Sequence, residues 1–228
     1  GNITAGAVTL DTSTANGEIV ATGTNTIAGT FTAYAGTGNL SLVNSQETNV
    51  ASITANVVSI NVTSGSLNQV GGVVSVGALD IQTNNASASL NNGIDNRITG
   101  NLTARLGTGD LTVTNNGALT LGDIAVGGVT LNTSYSDGDI VVTGTNAITG
   151  VIAVDAGTGN LTLSNSVNTS LGNITASFAG LNVGANGALS QATDTALNLS
   201  NGLDLGTANG AATLSNNNSI TGVITGTS

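Results

Sequence analysis

The sequence lacks most of the side chains on which enzymes and ordinary globular cores depend. Its 228 residues include no Pro, Cys, Met, Trp, His or Lys, and only two Arg, two Tyr and two Phe. Without His, Cys or Lys there is no usual base for a serine nucleophile and no thiolate, so we expect no catalytic residues and no enzyme activity. A disulfide framework is ruled out. With so few aromatic rings, the core must consist of Ile, Val, Leu and Ala.

Charged residues are scarce and mostly acidic, with a formal net charge of −10. A chain of this charge cannot neutralise phosphates, which excludes nucleic acid as a partner. No apolar run approaches the roughly 18 residues that a membrane span needs, so none is expected. The only cations, Arg97 and Arg105, lie near Asp95 and Asp110 in sequence, and we expect local ion pairs there.

What the chain does contain is Gly, Asn and short apolar-polar-apolar triplets. There are 33 Gly and 31 Asn. The triplets include "VTL" at 8–10 and 129–131, "LSL" at 40–42 and "LTL" at 161–163. This period of two turns one face inward and the other outward, as in a half-buried strand. Turn-forming residues separate the triplets. The pattern predicts an all-β protein with many short strands.

The chain also contains two copies of one long repeat. Residues 1–62 align without a gap on residues 122–183, and 32 of the 62 aligned pairs are identical. We predict a single segment, 1–228, with internal super-repeats 1–121 and 122–228. Because both ends fall within the repeated phrases, we expect the segment to be cut from a longer array.

A shorter phrase recurs within these copies, at intervals that suit stacked units of about 20 residues. It reads "AGTGNLSL" at 35–42, "LGTGDLTV" at 106–113 and "AGTGNLTL" at 156–163. Short strands stacked at this spacing predict a parallel β-solenoid in the form of an elongated rod, with about 11 coils spanning roughly 50 Å at about 4.8 Å per coil. An antiparallel sandwich or barrel is the alternative, but it does not explain the internal copying.

The glycines of this phrase are predicted to form a corner and not a phosphate-binding loop. The dinucleotide-binding pattern needs a third Gly where the chain has Ser41, Thr112 or Thr162, and a P-loop needs a Lys. Gly supplies the positive φ of a turn without steric cost. After the corner, we expect Leu161 and Leu163 to point inward and Thr162 outward.

Asp137 and Asp139, in "SDGDI", form the one close pair of carboxylates and are the candidate metal ligands. With nearby carbonyls they could hold one calcium ion, although the Gly- and Asp-rich nonapeptide of calcium-binding solenoids is missing. Their counterparts in the first copy are Asn16 and Glu18, and among the acidic positions only Glu18/Asp139 and Asp80/Asp204 stay acidic in both copies. This drift favours a charged, solvated turn over a metal site. No other cofactor is predicted.

Thr-x-Thr phrases make ice binding a minor alternative. They are Thr22/Thr24/Thr26, Thr30/Thr32 and Thr143/Thr145. An ice-binding solenoid needs such pairs stacked in one column, coil after coil. Here they fall at uneven spacings, which argues against a flat column.

The phrases "GNITA", "AGTGNLTL" and "GALTLGDI", with their Gly, Asn and Thr bias and the absence of Lys, resemble the repeat shafts of large bacterial exoproteins. The nearest family is that of the filamentous-haemagglutinin-like adhesins, and the resemblance covers essentially the whole chain. It implies a right-handed parallel β-helix, secretion to the cell surface, a role in adhesion or biofilm structure, and a host surface or matrix polysaccharide as partner. No family site residues carry over, because no motif here matches one.

Two functions follow from these expectations. The segment is either a shaft within a giant adhesin, whose distal domains do the binding, or a subunit or repeat of an extracellular fibre, sheath or surface layer. The second function requires end-to-end self-association through open coil edges, which offer unpaired N–H and C=O groups. We favour the shaft.

Overall fold

The computed structural model describes residues 1–184 and 186–227. Its regular secondary structure consists of 26 strands, and no helix occurs in the described ranges. The fold is a parallel β-solenoid with turns about 21 residues apart, about 11 turns in all. Every strand pair whose register is described is parallel. The predicted solenoid of about 20-residue coils is confirmed, and the antiparallel alternative is wrong.

The chain divides into two compact units, 1–116 and 117–228. The boundary between the units falls five residues before the predicted start of the second super-repeat, at 122. The strands of unit 1 are β1 (Thr4–Ala5), β2 (Val8–Asp11), β3 (Ile19–Ile27), β4 (Thr30–Tyr34), β5 (Leu40–Asn44), β6 (Thr48–Val62), β7 (Leu67–Gln69), β8 (Val74–Thr83), β9 (Ala88–Leu90), β10 (Arg97–Ile98), β11 (Asn101–Arg105) and β12 (Leu111–Thr114).

Unit 2 repeats the same succession of short strands separated by Gly- and Asn-rich corners. Its strands are β13 (Leu119–Val126), β14 (Val129–Asn132), β15 (Ile140–Val142), β16 (Ala147–Ile148), β17 (Val151–Asp155), β18 (Leu161–Asn165), β19 (Thr169–Ala176), β20 (Ala179–Val183), β21 (Leu189–Gln191), β22 (Leu197–Leu199), β23 (Leu203–Thr207), β24 (Ala212–Thr213), β25 (Ser219–Ile220) and β26 (Ile224–Thr227).

Within each unit, aliphatic side chains stack on their counterparts in the next coil. In unit 1, one such column runs through β3, β5, β6, β8 and β11, and its members are Ile19, Leu40, Val58, Leu79 and Leu102. All five are buried. This column consists of Ile, Val and Leu alone, so this part of the core forms without Trp or Met. Phe31 is also 0% exposed and stacks between Val8 and Val50, so the expectation of a core made only of Ile, Val, Leu and Ala is wrong at that position.

The register of the recurring phrase is the predicted one in unit 2. Leu161 of β18 lies between Ile140 of β15 and Ala179 of β20, and it is 0% exposed. Leu163 is also buried, whereas Thr162 between them is exposed. The alternation of a strand therefore places both leucines in the bore and the threonine on the surface, as predicted.

Asparagines inside the solenoid were not predicted. Asn44 at the end of β5 is 0% exposed, and its Oδ1 accepts the backbone N–H of Ile27 at 2.8 Å. Its Nδ2 donates to the Ile27 carbonyl at 3.1 Å and to Thr48 Oγ1 at 3.0 Å. Asn165 makes the same three bonds to Ile148 and Thr169 at 2.9, 3.0 and 3.0 Å. Each amide bonds both the backbone N–H and the backbone carbonyl of one isoleucine, Ile27 or Ile148, and so the polar side chain is buried with its hydrogen bonds made.

A second buried polar feature is a reciprocal pair of amides in unit 1. Gln69 Nε2 donates to Asn96 Oδ1 at 2.8 Å, and Asn96 Nδ2 donates back to Gln69 Oε1 at 2.7 Å. The same Asn96 oxygen accepts the Val74 N–H at 2.9 Å, and Nδ2 also donates to the Leu90 carbonyl at 3.2 Å. Asn96 is 0% exposed and Gln69 only 5%.

Unit 2 contains the same pair in a less buried setting. Gln191 Nε2 donates to Asn218 Oδ1 at 2.8 Å, and Asn218 Nδ2 donates back to Gln191 Oε1 at 3.1 Å. The Leu197 N–H takes the place of Val74, at 2.9 Å from Asn218 Oδ1. Both side chains are half-buried. The two pairs therefore share these three hydrogen bonds at different exposure, and the effect of burial on such a pair can be measured within one chain.

Candidate functional site

The phrase that occurs three times builds the same corner each time. Its first Gly has a positive φ, which disfavours residues with a Cβ. A Cβ on its second Gly would lie against a carbonyl oxygen of the preceding coil. The first glycines are Gly36, Gly107 and Gly157, with φ of +60°, +61° and +59°, and the second are Gly38, Gly109 and Gly159, placed over Gly17, Ala86 and Gly138. The glycines therefore serve backbone packing, as the corner interpretation predicted.

Each of these corners is held by one side chain from the preceding coil. That side chain is an Asn or Asp whose own φ is positive, and its Oδ1 accepts the N–H of the Thr between the two glycines. The three bonds are Asn16 to Thr37 at 3.0 Å, Asn85 to Thr108 at 3.3 Å and Asp137 to Thr158 at 2.8 Å. Asn and Asp tolerate the left-handed region and accept hydrogen bonds locally, which suits them to this position.

The structure places both candidate calcium ligands at this corner. Asp137 and Asp139 are exposed, and Asp139 Oδ1 accepts the Asn160 N–H at 2.7 Å. Asp155, one coil later, accepts the Gly157 N–H at 3.2 Å. Each carboxylate thus has a structural partner in the backbone of one loop. Within residues 1–184 and 186–227, no three acidic side chains are grouped so as to hold a metal ion. Calcium at Asp137 and Asp139 stays a prediction.

The double variant Asp137→Asn, Asp139→Asn separates the two interpretations of this pair. An amide oxygen can accept the same N–H groups, as Asn16 already does in the first copy, so we expect the free energy of unfolding to change by no more than about 0.5 kcal/mol. Thermal unfolding with and without millimolar calcium is the measurement. If calcium raises the melting temperature of the parent by several degrees and the double variant loses that gain, the pair is a calcium site.

Asp11 shows how a carboxylate serves the same turn as an amide. Its Oδ1 accepts the Ser13 hydroxyl at 2.6 Å and the Ser13 N–H at 2.9 Å, and these two bonds lower the pKa of Asp11 because they favour its charged form. The counterpart in the second copy is Asn132, which accepts the Ser134 hydroxyl at 2.8 Å and N–H at 2.9 Å. Asp and Asn can replace each other at this position because the turn needs an acceptor oxygen and does not need a charge.

Asp80 and its counterpart Asp204, a position that stays acidic in both copies, share a structural reason. Thr103 Oγ1 donates to Asp80 Oδ1 at 2.5 Å, and Thr225 Oγ1 donates to Asp204 Oδ1 at 2.5 Å. Each bond links an outward-facing Asp to the coil that follows. Arg105 Nη1 also lies 3.3 Å from Asp80 Oδ1, with both side chains largely exposed. The partner of Arg105 that the structure shows therefore comes from the preceding coil and is distant in sequence.

The threonine pairs do not stack on one another. Thr32 lies over Thr9 of the preceding coil, but Thr30 lies under Asn49. The Thr26 hydroxyl is 3.2 Å from Ser45 Oγ, so it is used within the solenoid. In the second copy, Thr143 and Thr145 follow the end of β15 at Val142. These pairs thus do not form the repeated column that ice binding would use.

Shallow depressions occur at equivalent places in the two units. One in unit 1 has a volume of about 250 Å³ and one in unit 2 about 290 Å³. A third, of about 490 Å³, lies beside Asp194 and Asn216. Hydroxyl, amide and guanidinium groups line the first two: Thr37, Thr54, Ser75 and Arg97 in unit 1, and Thr158, Thr175, Asn198 and Ser219 in unit 2. None of the three brings two carboxylates together.

The signal for these corners was present in the sequence. Asn16 and Asp137 are counterparts in the two copies and each precedes a Gly, which is typical of a left-handed turn.

In the part of the chain that the structure describes, no helix is long and apolar enough to cross a membrane. Comparison of the chain with protein-family models, with curated proteins and with solved structures finds no match.

Proposed function

We propose that this chain is a non-enzymatic structural segment from the shaft of a secreted, repetitive bacterial cell-surface adhesin. The observation that carries the proposal is the contrast between what the two copies keep and what they exchange. They keep the stacked aliphatic side chains, the corner glycines and the buried Asn44 and Asn165. They exchange most acids, for example Asp155 for Tyr34 and Asp11 for Asn132. Selection on a scaffold retains its packing and its corners, whereas a catalytic site would retain its polar groups.

The chemistry of the exposed surface supports a structural role. Catalysis by carboxylates needs two of them at a shared site, and the three depressions each contain at most one. The corner carboxylates Asp137 and Asp139 bond to backbone amides. Groups of this kind hold adjacent coils together and leave no activated nucleophile.

The resemblance to filamentous-haemagglutinin-like adhesins supports an extracellular location and a role in adhesion or biofilm structure. In this proposal a host surface or a matrix polysaccharide contacts distal domains, and the solenoid holds those domains away from the cell. The net charge of −10 keeps such a segment soluble and away from nucleic acid.

Antibodies raised against this segment test the location and the role. On intact cells that produce the protein, we expect them to label the surface, and we expect the isolated segment not to compete with the whole protein for attachment. Labelling that requires permeabilised cells would contradict the location. Competition by the isolated segment would show that it carries a binding site and is more than a spacer.

Resistance to trypsin is expected of an extracellular shaft. The chain offers two cleavage sites, after Arg97 and Arg105, and both residues lie in strands, β10 and β11. Both side chains are exposed, but cleavage requires local opening of the strand, so we expect the native chain to persist and the denatured chain to be cut. A digestion time course on a gel measures this. Rapid cutting of the native chain would mean that β10 and β11 open readily.

The alternative function is a subunit or repeat of an extracellular fibre, sheath or surface layer. It requires self-association through coil edges, end to end. Sedimentation velocity over a wide range of concentration distinguishes the two functions. A species that grows continuously with concentration supports the fibre, and a constant monomer supports the shaft.

A further inference from the structure

The chain carries six Asn–Gly dipeptides, and one of them differs from the rest in its hydrogen bonding and exposure. They begin at Asn16, Asn92, Asn116, Asn186, Asn201 and Asn209. In such a dipeptide the amide nitrogen of the Gly can attack the side-chain carbonyl of the Asn, since Gly has no Cβ to obstruct the approach. The reaction needs a mobile backbone and an amide N–H that is not engaged elsewhere.

Four of the six are held by their glycine N–H groups. The acceptors lie on turns or on a neighbouring coil, at 2.6 to 3.1 Å. The bonds run from Gly17 to the Thr12 carbonyl, from Gly117 to Ser136 Oγ, from Gly187 to the Gly184 carbonyl and from Gly210 to the Thr207 carbonyl. Asn16 is held a second time, because its Oδ1 accepts the Thr37 N–H. Each of these amides must first break a hydrogen bond before it can react.

The fifth dipeptide is hydrogen-bonded to the preceding coil and packed against the next one. The Asn201 N–H donates to the Ser177 carbonyl at 2.8 Å, and the Gly202 carbonyl accepts the Ala179 N–H at 3.3 Å. Gly202 is itself buried, with the Val223 carbonyl against the position of its missing Cβ. The backbone therefore cannot rotate to bring the Gly202 nitrogen to the Asn201 side chain without local unfolding.

Asn92–Gly93 has none of these restraints. It lies in the connection between β9 and β10, Asn92 is exposed and Gly93 is half-buried. Within the part of the chain that the structure describes, neither residue has a hydrogen-bond partner. The φ of Gly93 is +151°, and the atom nearest to an added Cβ is the Gly72 carbonyl oxygen at 3.3 Å. Among the six pairs, this one is both reachable by water and free to rotate.

We propose that Asn92 is a site of spontaneous deamidation in the folded protein. The Gly93 nitrogen loses its proton to solvent base and bonds to Asn92 Cγ, the bond from Cγ to Nδ2 breaks, and ammonia leaves. Water then opens the resulting five-membered succinimide at either carbonyl. The product at position 92 is aspartate or, when the chain continues through the side-chain carbonyl, isoaspartate. Either product adds one negative charge and about 1 Da.

The fold accommodates either product at this position. The backbone of isoaspartate is one carbon atom longer, and the connection between Leu90 of β9 and Arg97 of β10 has no strand pairing to disturb. Asn96, which belongs to the same connection, is fixed independently by Gln69 and by the Leu90 carbonyl. In the corner that Asn16 occupies in the first copy, the second copy carries Asp137, so a carboxylate before Gly is compatible with the coil.

The test compares folded and unfolded chain at mildly alkaline pH and physiological temperature. Peptide mapping by mass spectrometry follows all six Asn, and enzymatic methylation of isoaspartate confirms the product. In denaturant the six sites share one dipeptide and should react at similar rates. In the folded chain we expect Asn92 to react at least about tenfold faster than each other site, the factor that about 1.4 kcal/mol of local opening produces.

The Asn92→Gln variant is the control, because glutamine keeps the amide but forms the larger ring far more slowly. It should abolish most of the new negative charge that isoelectric focusing detects in the aged parent. The proposal is overturned if another Asn leads in the folded chain, or if Asn92 stays intact while the unfolded chain deamidates.

Discussion

Leu161→Asp is expected to unfold the coil that contains it, with a larger loss of stability than any other single substitution that we propose. Leu161 is 0% exposed and lies in the bore between Ile140 and Ala179. A carboxylate at this position would be surrounded by apolar side chains without a cation to pair with it, and burying an unpaired charge costs far more than losing packing.

Two companion variants calibrate that result. Leu161→Ala removes the packing without adding charge and should cost about 2–5 kcal/mol. Thr162→Ala changes the neighbouring exposed position and should stay within about 0.5 kcal/mol. Because a solenoid couples each coil to its neighbours, we expect the damage to begin as local fraying, visible by hydrogen exchange, and to spread from there. If Leu161→Asp melts like the parent, Leu161 does not face the bore and the register of β18 is off by one.

The second large effect is expected at the reciprocal amide pair. Asn96→Ala would leave Gln69 Oε1 and the Val74 N–H without the partners that Asn96 supplies, in a site that water does not reach, while Gln69 Nε2 keeps its bond to the Gly72 carbonyl at 3.1 Å. Each buried polar group left unsatisfied costs about 1–3 kcal/mol, so the free energy of unfolding should fall by about 3 kcal/mol or more. Denaturant unfolding gives the total, and hydrogen exchange at Val74 locates it.

The matched control comes from the same chain. Asn218→Ala breaks the equivalent bonds to Gln191 and to the Leu197 N–H, but the side chains of Gln191 and Asn218 are half-buried and water can replace the lost partner. We expect a cost of about 1 kcal/mol there. Replacing both Gln69 and Asn96 by Leu should cost less than the sum of the single changes, since neither amide is then left alone. Equal costs at Asn96 and Asn218 would show that burial does not govern the pair.

The regular part of the fold was predictable because two simple patterns set it. Alternation placed Leu161 and Leu163 inward, and Gly at a repeated corner marked the turns. The buried asparagines were not predicted, because Asn is usually an exposed turn residue and a single sequence does not distinguish an amide that closes a coil from one in a loop. The identity of Asn44 and Asn165 in the two copies was the available signal.

For the candidate site, the sequence predicted where the two carboxylates lie but not which groups they bond to. Asp137 and Asp139 do lie together on one corner, as their spacing suggests. The bonds to Thr158 and Asn160 depend on which residues of the next coil lie over them. That depends on coil length, and successive members of one bore column, Ile19 to Leu102, are between 18 and 23 residues apart. Such variation in corner length leaves no trace in the strand pattern.

The gap-free match between residues 1–62 and 122–183 has a genetic consequence. Unequal crossing-over between the two stretches of DNA would join residue 62 directly to residue 184 and remove 121 codons in frame. The Gly184 N–H, which donates to the Asn165 carbonyl at 2.7 Å, would then meet the Asn44 carbonyl, the acceptor of the Thr63 N–H at 2.9 Å. The shortened allele would encode a solenoid whose coils keep this hydrogen bond, and so would a lengthened one. Recombination can therefore change the number of coils in this protein, and each product is a chain that can still fold.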